Sequence, residues 1–183
     1  MRLQDLLAYQ KKQDDQAKSK MIHEFARSYQ TYLERLPMKV AYMECMSGLN
    51  RIKRSNPTYL VHAVEGINIG DVYFIDYGQA YRYEAGFQHF GIIMNIINNK
   101  VFVVPMTSNP ETYNKADPLN DYPLPQLYQL GIIEGLNKES VCFLHDAKFI
   151  NRARIIKVQG HIDPTSLLYR QLKQRLQETI LPQ

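Results

Sequence analysis

The chain has 183 residues, 45% hydrophobic and 22% charged, with a formal net charge of +4. That length can bury one full core plus an appendage, while no apolar run is long enough for a membrane helix and the N-terminus lacks the apolar heart of a secretion signal. Cys45 and Cys142 stand far apart in no ligand spacing, which fits reduced thiols and a cytoplasmic protein.

The basic excess lies wholly in residues 1–69, with eleven Lys/Arg against seven Asp/Glu. Residues 1 to about 36 lack Gly and Pro, and Ile22, Phe25, Tyr29, Tyr32, Leu33 and Leu36 repeat at helical spacing. The polar stretch from Lys11 to Lys20 predicts a break in that helix or a solvent-exposed turn of it. Pro37 marks a boundary, and a second helix is expected from about Met38 through Val40, Met43, Cys45, Met46 and Leu49. Such an appendage suits a nucleic-acid or partner-docking arm, or simply packs on its neighbour. Residues 1–66 are therefore assigned to a helical extension and 67–183 to a second domain.

That second domain reads as strand-rich. VYFIDYG, FGIIMNII, VFVVPM and SVCFLHDAKFI are dense in Val, Ile and Phe and of strand length. Asn98-Asn99-Lys100 between two alternating runs predicts a hairpin, which brings His89 and Thr107-Ser108 onto neighbouring strands. Asn109 to Lys138 carries four prolines and reads as a long loop. Ile155–Val158 is one more candidate strand, and Asp163-Pro164 predicts a helix cap before Leu168, Leu172, Leu176 and Ile180. Short antiparallel strands with a terminal helix point to an α+β, half-open barrel.

Three segments in order, Gly70-Asp-Val-Tyr-Phe-Ile-Asp76, Glu84-Ala-Gly86 with His89-Phe-Gly-Ile-Ile-Met94, and Val103-Val-Pro-Met-Thr-Ser-Asn109, resemble the MazF/PemK family of toxin endoribonucleases. Leu144–Ile150, Arg152-Ala-Arg154 and the terminal helix extend the resemblance over about 115 residues. It implies an SH3-like barrel acting as a homodimer, with single-stranded RNA as substrate and a cognate antitoxin as partner. It further implies cleavage without metal or other cofactor, by attack of the 2′-hydroxyl on the adjacent phosphate. Thr107 matches the family's strand-end threonine, with Ser108 beside it, and His89 stands where the family places an arginine, with Gln88 the next candidate.

Those matches make His89, Thr107, Ser108 and Glu84 the candidate catalytic residues, since the reaction needs a proton acceptor, a proton donor and donors to the phosphorane oxygens. Tyr81, Arg82, Tyr83, Gln88, Lys148, Arg152 and Arg154 are the candidate RNA-binding residues; Tyr77, Tyr81 and Tyr83 interleave with Arg82, a combination suited to stacking on unpaired bases or to sealing the barrel rim. Each has a plainer reading: a structural histidine at a strand start, turn-forming hydroxyls, rim aromatics, solvated cations. The five histidines fall in no metal-binding spacing. A catalytically silent relative that binds RNA or a protein partner through the same groove is the rival function.

Overall fold

The computed structural model describes residues 15–55, 66–81 and 83–180. The first leucines, the Tyr59–Val64 segment and Arg82 lie outside the described residues. The chain forms two compact units, Met1–Cys45 and Met46–Gln183.

In the first unit, α1 (Asp15–Glu34) runs unbroken through the polar residues 15–20, which stand mostly in solvent, the second of the two alternatives expected there. No Gly or Pro interrupts it, and an exposed polar turn costs a helix little. Pro37 ends the connection, its carbonyl accepting from the Val40 and Ala41 amides as α2 (Met38–Arg54) begins. Tyr29 and Tyr32 donate to the two oxygens of the buried Glu44 carboxylate, at 3.2 and 3.1 Å. Ile22, Phe25 and Tyr32 nonetheless remain exposed, so the apolar stripe is only partly covered.

The second unit is a seven-stranded antiparallel sheet that does not close. Its strands are β1 (Asp71–Gly78), β2 (Phe87–Ile97), β3 (Lys100–Thr107), β4 (Leu127–Gly131), β5 (Ser140–Phe143), β6 (Lys148–Asn151) and β7 (Ile155–His161). The order is β4-β5-β3-β2-β1-β7, with β6 also on β3. The β2–β3 hairpin turns at Asn98, which takes a left-handed φ of 52° that Asn tolerates better than most residues.

Where one continuous strand was expected from Ser140 to Ile150, the chain breaks into β5, a 3-10 turn at Leu144–Asp146, and β6. β5 pairs with Met106 and Thr107, and β6 with Lys100–Val103, so the three-residue turn lies opposite Val104-Pro105. Proline has no N–H to give a ladder, and a bulge-like skip is where a strand tolerates it. The expected 109–138 loop also contains structure: β4 and the short helix α3 (Pro110–Lys115), capped by the Asn109 side chain with proline in its first turn. The last helix, α4 (Leu167–Ile180), starts later than Asp163-Pro164 suggested. Asp163 instead closes a turn onto Thr165, and Ser166 Oγ accepts from the Tyr169 amide at the helix start.

Strand alternation gives the sheet two buried faces. One packs Val72, Ile92, Val104, Met106 and Cys142 under Tyr169, Leu172 and Leu176 of α4. The other gathers Tyr73, Ile75, Tyr77, Ile93, Val101, Val103, Ile150 and Ile155. His89 and Thr107 lie at one end of this second face.

Candidate active site

The loop between β1 and β2 leaves the sheet through Gly78, whose φ of 82° suits glycine. Arg154 Nη1 donates to the carbonyls of Asp76 and Tyr77, at 3.2 and 2.8 Å, and fills the space a side chain at position 78 would need. Below it, the buried Asp76 carboxylate accepts from Ser47 Oγ (2.7 Å), Asn50 Nδ2 (2.8 Å) and the Gly78 amide (3.0 Å). Arg54 reaches the Ala153 and Ile155 carbonyls from the same helix face. Residues 47, 50 and 54 are one helical stripe, so the end of α2 fastens both β1 and the chain entering β7.

In the loop, Tyr81 N–H donates to Glu84 Oε2 at 3.2 Å while Glu84 N–H donates to the Tyr81 carbonyl, also at 3.2 Å. Tyr81 and Tyr83 are 86% and 88% exposed. Tyr83 and Phe87 both take positive φ, of 75° and 55°, a conformation that costs a non-glycine residue about 1–3 kcal/mol and is found most at functional sites. Ala85 N–H donates to Asp146 Oδ2 at 3.1 Å, which ties the loop to the 3-10 turn between β5 and β6.

His89 pairs across the sheet with Ile75, and Phe90 pairs with Met106. His89 and Thr107 therefore flank that last pair on neighbouring strands and share the face that carries Ile75. Lys148 pairs with Val103, four residues along β3 from Thr107, and its ammonium stands 5.8 Å from the centre of the Tyr77 ring. Burial lowers the pKa of His89 from its ordinary 6.5, so its imidazole is neutral at pH 7. Thr107 Oγ1 accepts from the Asn109 amide at 3.3 Å and keeps its hydroxyl proton to donate.

Two of the candidate residues, His89 and Thr107, thus come together. Gln88 does not, because it pairs with Asp76 and points to the opposite face from His89. Ser108 lines a separate open cavity of about 410 Å3 with Phe90, Leu136, Asn137, Lys138 and Gln159. Thr107 and Ser108 are successive residues at a strand end, so their hydroxyls do not form one pair. Arg154 is engaged as a backbone clamp, and Arg152 lies near Tyr73, whose phenol is pushed up by burial and by Asp71 with Arg152 offsetting part of that rise. Arg82 is outside the described residues.

Tyr77, read from the sequence with Tyr81 and Tyr83 as a base-stacking or rim residue, is instead buried in the sheet. It is 7% exposed, and its hydroxyl has no hydrogen-bond partner among the described residues. Burial, with smaller contributions from Cys142 and Asp146, pushes the phenol well above its ordinary pKa, so it stays protonated. The hydroxyl lies over Gly91, the residue two along from His89, close enough that a Cβ there would collide with it. Among the described residues no cluster of three or more His, Cys, Asp or Glu could hold a metal ion, and no helix is long and apolar enough to cross a membrane.

Sheet and site define an α+β protein with a half-open antiparallel sheet and a His–Thr pair at one end of it. No protein-family model matches the chain, and no curated protein does. Among solved structures it is similar to the Mycobacterium tuberculosis toxin MazF-mt6, with 12% identity over 59% of this chain and 93% of that one, TM-score 0.41. It is also similar to an endoribonuclease from a mycobacterial species (14% identity, 65% and 99% covered, TM-score 0.42). The third is a MazE–MazF structure from Deinococcus radiodurans (10% identity, 63% and 96% covered, TM-score 0.42).

Proposed function

We propose that residues 67–183 form a MazF/PemK-type endoribonuclease that cuts single-stranded RNA without metal. The observation that carries this reading is that His89 and Thr107 flank one register pair on a shared face, with Lys148 farther along the same face. The neutral imidazole of His89 takes the 2′-proton as the 2′-oxygen bonds to phosphorus. The bond from phosphorus to the 5′-oxygen breaks, and that oxygen takes a proton from water. Thr107 donates to a non-bridging oxygen, and Lys148 offsets the charge gathering there. The products are a 2′,3′-cyclic phosphate and a 5′-hydroxyl.

The exposed Tyr81 and Tyr83 are stacking platforms for bases on either side of the cut, and Glu84 braces the loop that presents them. Following the sequence resemblance, the proposal includes a homodimer, a cognate antitoxin and a cytoplasmic setting.

The test is cleavage of a long, mostly unpaired RNA in EDTA, with the 3′ ends of fragments examined for cyclic phosphate. His89→Ala and Thr107→Ala should each lower the rate about a hundredfold or more. Ser108→Ala, on the other face, should stay within about threefold of the parent, a change of under about 0.7 kcal/mol. EDTA-sensitive cutting, or full activity in His89→Ala, refutes the mechanism. RNA binding without cutting favours the silent binding module.

A further inference from the structure

The two strands that bring His89 and Thr107 together carry a second arrangement one residue further on. Phe90 follows His89 on β2, Ser108 follows Thr107 at the end of β3, and both line the open cavity of about 410 Å3. Successive residues of a strand face opposite sides, so this cavity lies behind the proposed reaction centre, across the end of the sheet. The rest of its lining comes from the connection between β4 and β5 and from Gln159 of β7.

That lining is held in place by backbone contacts. The turn at residues 133–136 is closed by the Leu136 amide, which donates to the Ile133 carbonyl at 3.0 Å. It lies directly on β7: a Cβ on Gly135 would collide with the Gln159 carbonyl, and one on Gly160 with that of Glu134. At the other end of the connection, the buried Ser140 Oγ donates to the Lys138 carbonyl at 3.3 Å. Phe90 is steadied by Phe74, whose ring centre is 5.4 Å away.

Within this frame the side chains of Asn137, Lys138 and Gln159 make no hydrogen bond or ion pair with other described residues. Each amide offers both a donor and an acceptor. One aromatic ring, two amides and an ammonium are the groups that hold an unpaired base: the ring stacks on its face, amides match its edge, and a cation meets the phosphate beside it. The volume falls in the range of about 300–1,000 Å3 usual for sites that enclose a small molecule.

We propose that this cavity holds a nucleobase of the RNA strand next to the cut and so sets a sequence preference there. The strand turns over the end of β2 and β3. Its scissile phosphate meets His89 and Thr107 on one face, and an adjacent base swings over the edge onto Phe90 on the other. Asn137 and Gln159 read the base edge, and Lys138 meets the next phosphate. Ser108 marks how close the cavity comes to Thr107, and recognition does not depend on it.

This inference rests on the ribonuclease reading, and two measurements keep them apart. In the first, the full chain and its Asn137→Ala/Gln159→Ala variant cut a pool of unpaired RNA, and the fragment ends are sequenced to give the base preference at each position around the cut. The variant, with an unchanged urea midpoint, should lose about tenfold of the preference at one position beside the cut, roughly the worth of one base-edge contact, and keep it elsewhere. Its KM should rise about tenfold with kcat nearly unchanged. A variant that cuts with the parent's preference at every position and the parent's KM overturns the inference and leaves the nuclease standing. In the second, short homopolymers of each base carry 2′-O-methyl groups, which remove the attacking hydroxyl. At least one should shift the backbone amide resonances of residues 135–138 in the parent and not in the variant. A parent that never cuts RNA brings down the nuclease, and these shifts then decide alone whether a base enters the cavity. Shifts absent with all four homopolymers, or unchanged in the variant, overturn the inference.

Discussion

The contact between Tyr77 and Gly91 can be tested with no assumption about function, through a double-mutant cycle. Gly91→Ala adds one methyl where the Tyr77 hydroxyl already sits, with Ile75 Cδ1 at 3.1 Å and the Val104 carbonyl at 3.3 Å from the same point. Ile75 is wholly buried, and Val104 is held in β3, so neither yields freely. Overpacking of this kind costs about 2–3 kcal/mol. Tyr77→Phe removes the colliding oxygen and no other atom, and because that hydroxyl is buried and unpartnered its loss should be neutral or slightly stabilising. In the double variant the new methyl takes the vacated space, and the cost should fall below about 1 kcal/mol. The coupling energy is therefore about 1.5–2 kcal/mol. Urea unfolding of the four proteins, with equal m-values, gives each corner of the cycle. Additivity to within about 0.5 kcal/mol would show that the phenol does not lie over Gly91.

Two further outcomes are expected. Burial lowers the His89 pKa, so between the ordinary 6.5 and the folded value the unfolded chain holds the proton and the folded chain does not. Stability is then full above about pH 6.5 and falls as the pH drops toward the folded value. Urea midpoints at about pH 7 and pH 5.5 should show this slope in the parent and a shallower one in His89→Asn. Asp76→Ala strands Ser47, Asn50 and the Gly78 amide together, and should cost about 3 kcal/mol or more. A melting temperature unchanged from the parent would refute that account of the clasp.

Much of the sheet was legible because its signals are local. Alternating residues around Asn98-Asn99 specify a hairpin, but the register of its turn alone would set His89 opposite Ser108; the irregularity between Ile93 and Asn95 shifts the pairing by one and brings His89 beside Thr107. The division of Ser140–Ile150 was not legible, because its cause lies on another strand, at Pro105, and a run of strand-forming residues does not say what it pairs with. The Asn109 cap was present in the sequence as Asn-Pro, a signal shared by turns and helix starts. Alternation could have placed Thr107 and Ser108 on different faces from the outset. Tyr77 groups with the loop residues Tyr81 and Tyr83 because it adjoins them in sequence; its burial was not legible, since only the missing side chain at Gly91, fourteen positions on, gives its hydroxyl somewhere to go.

Arg154 bears on synthesis as well as on shape. Translation delivers His89, Thr107 and Lys148 before it delivers the guanidinium that secures the Gly78 corner, and β7 comes later still. A nascent or prematurely ended chain that stops near residue 150 therefore holds every reacting group and lacks the fastening that fixes where the loop begins. Since a domain of this kind folds as a unit, the proposed activity is expected only in chains extended past Arg154 and β7.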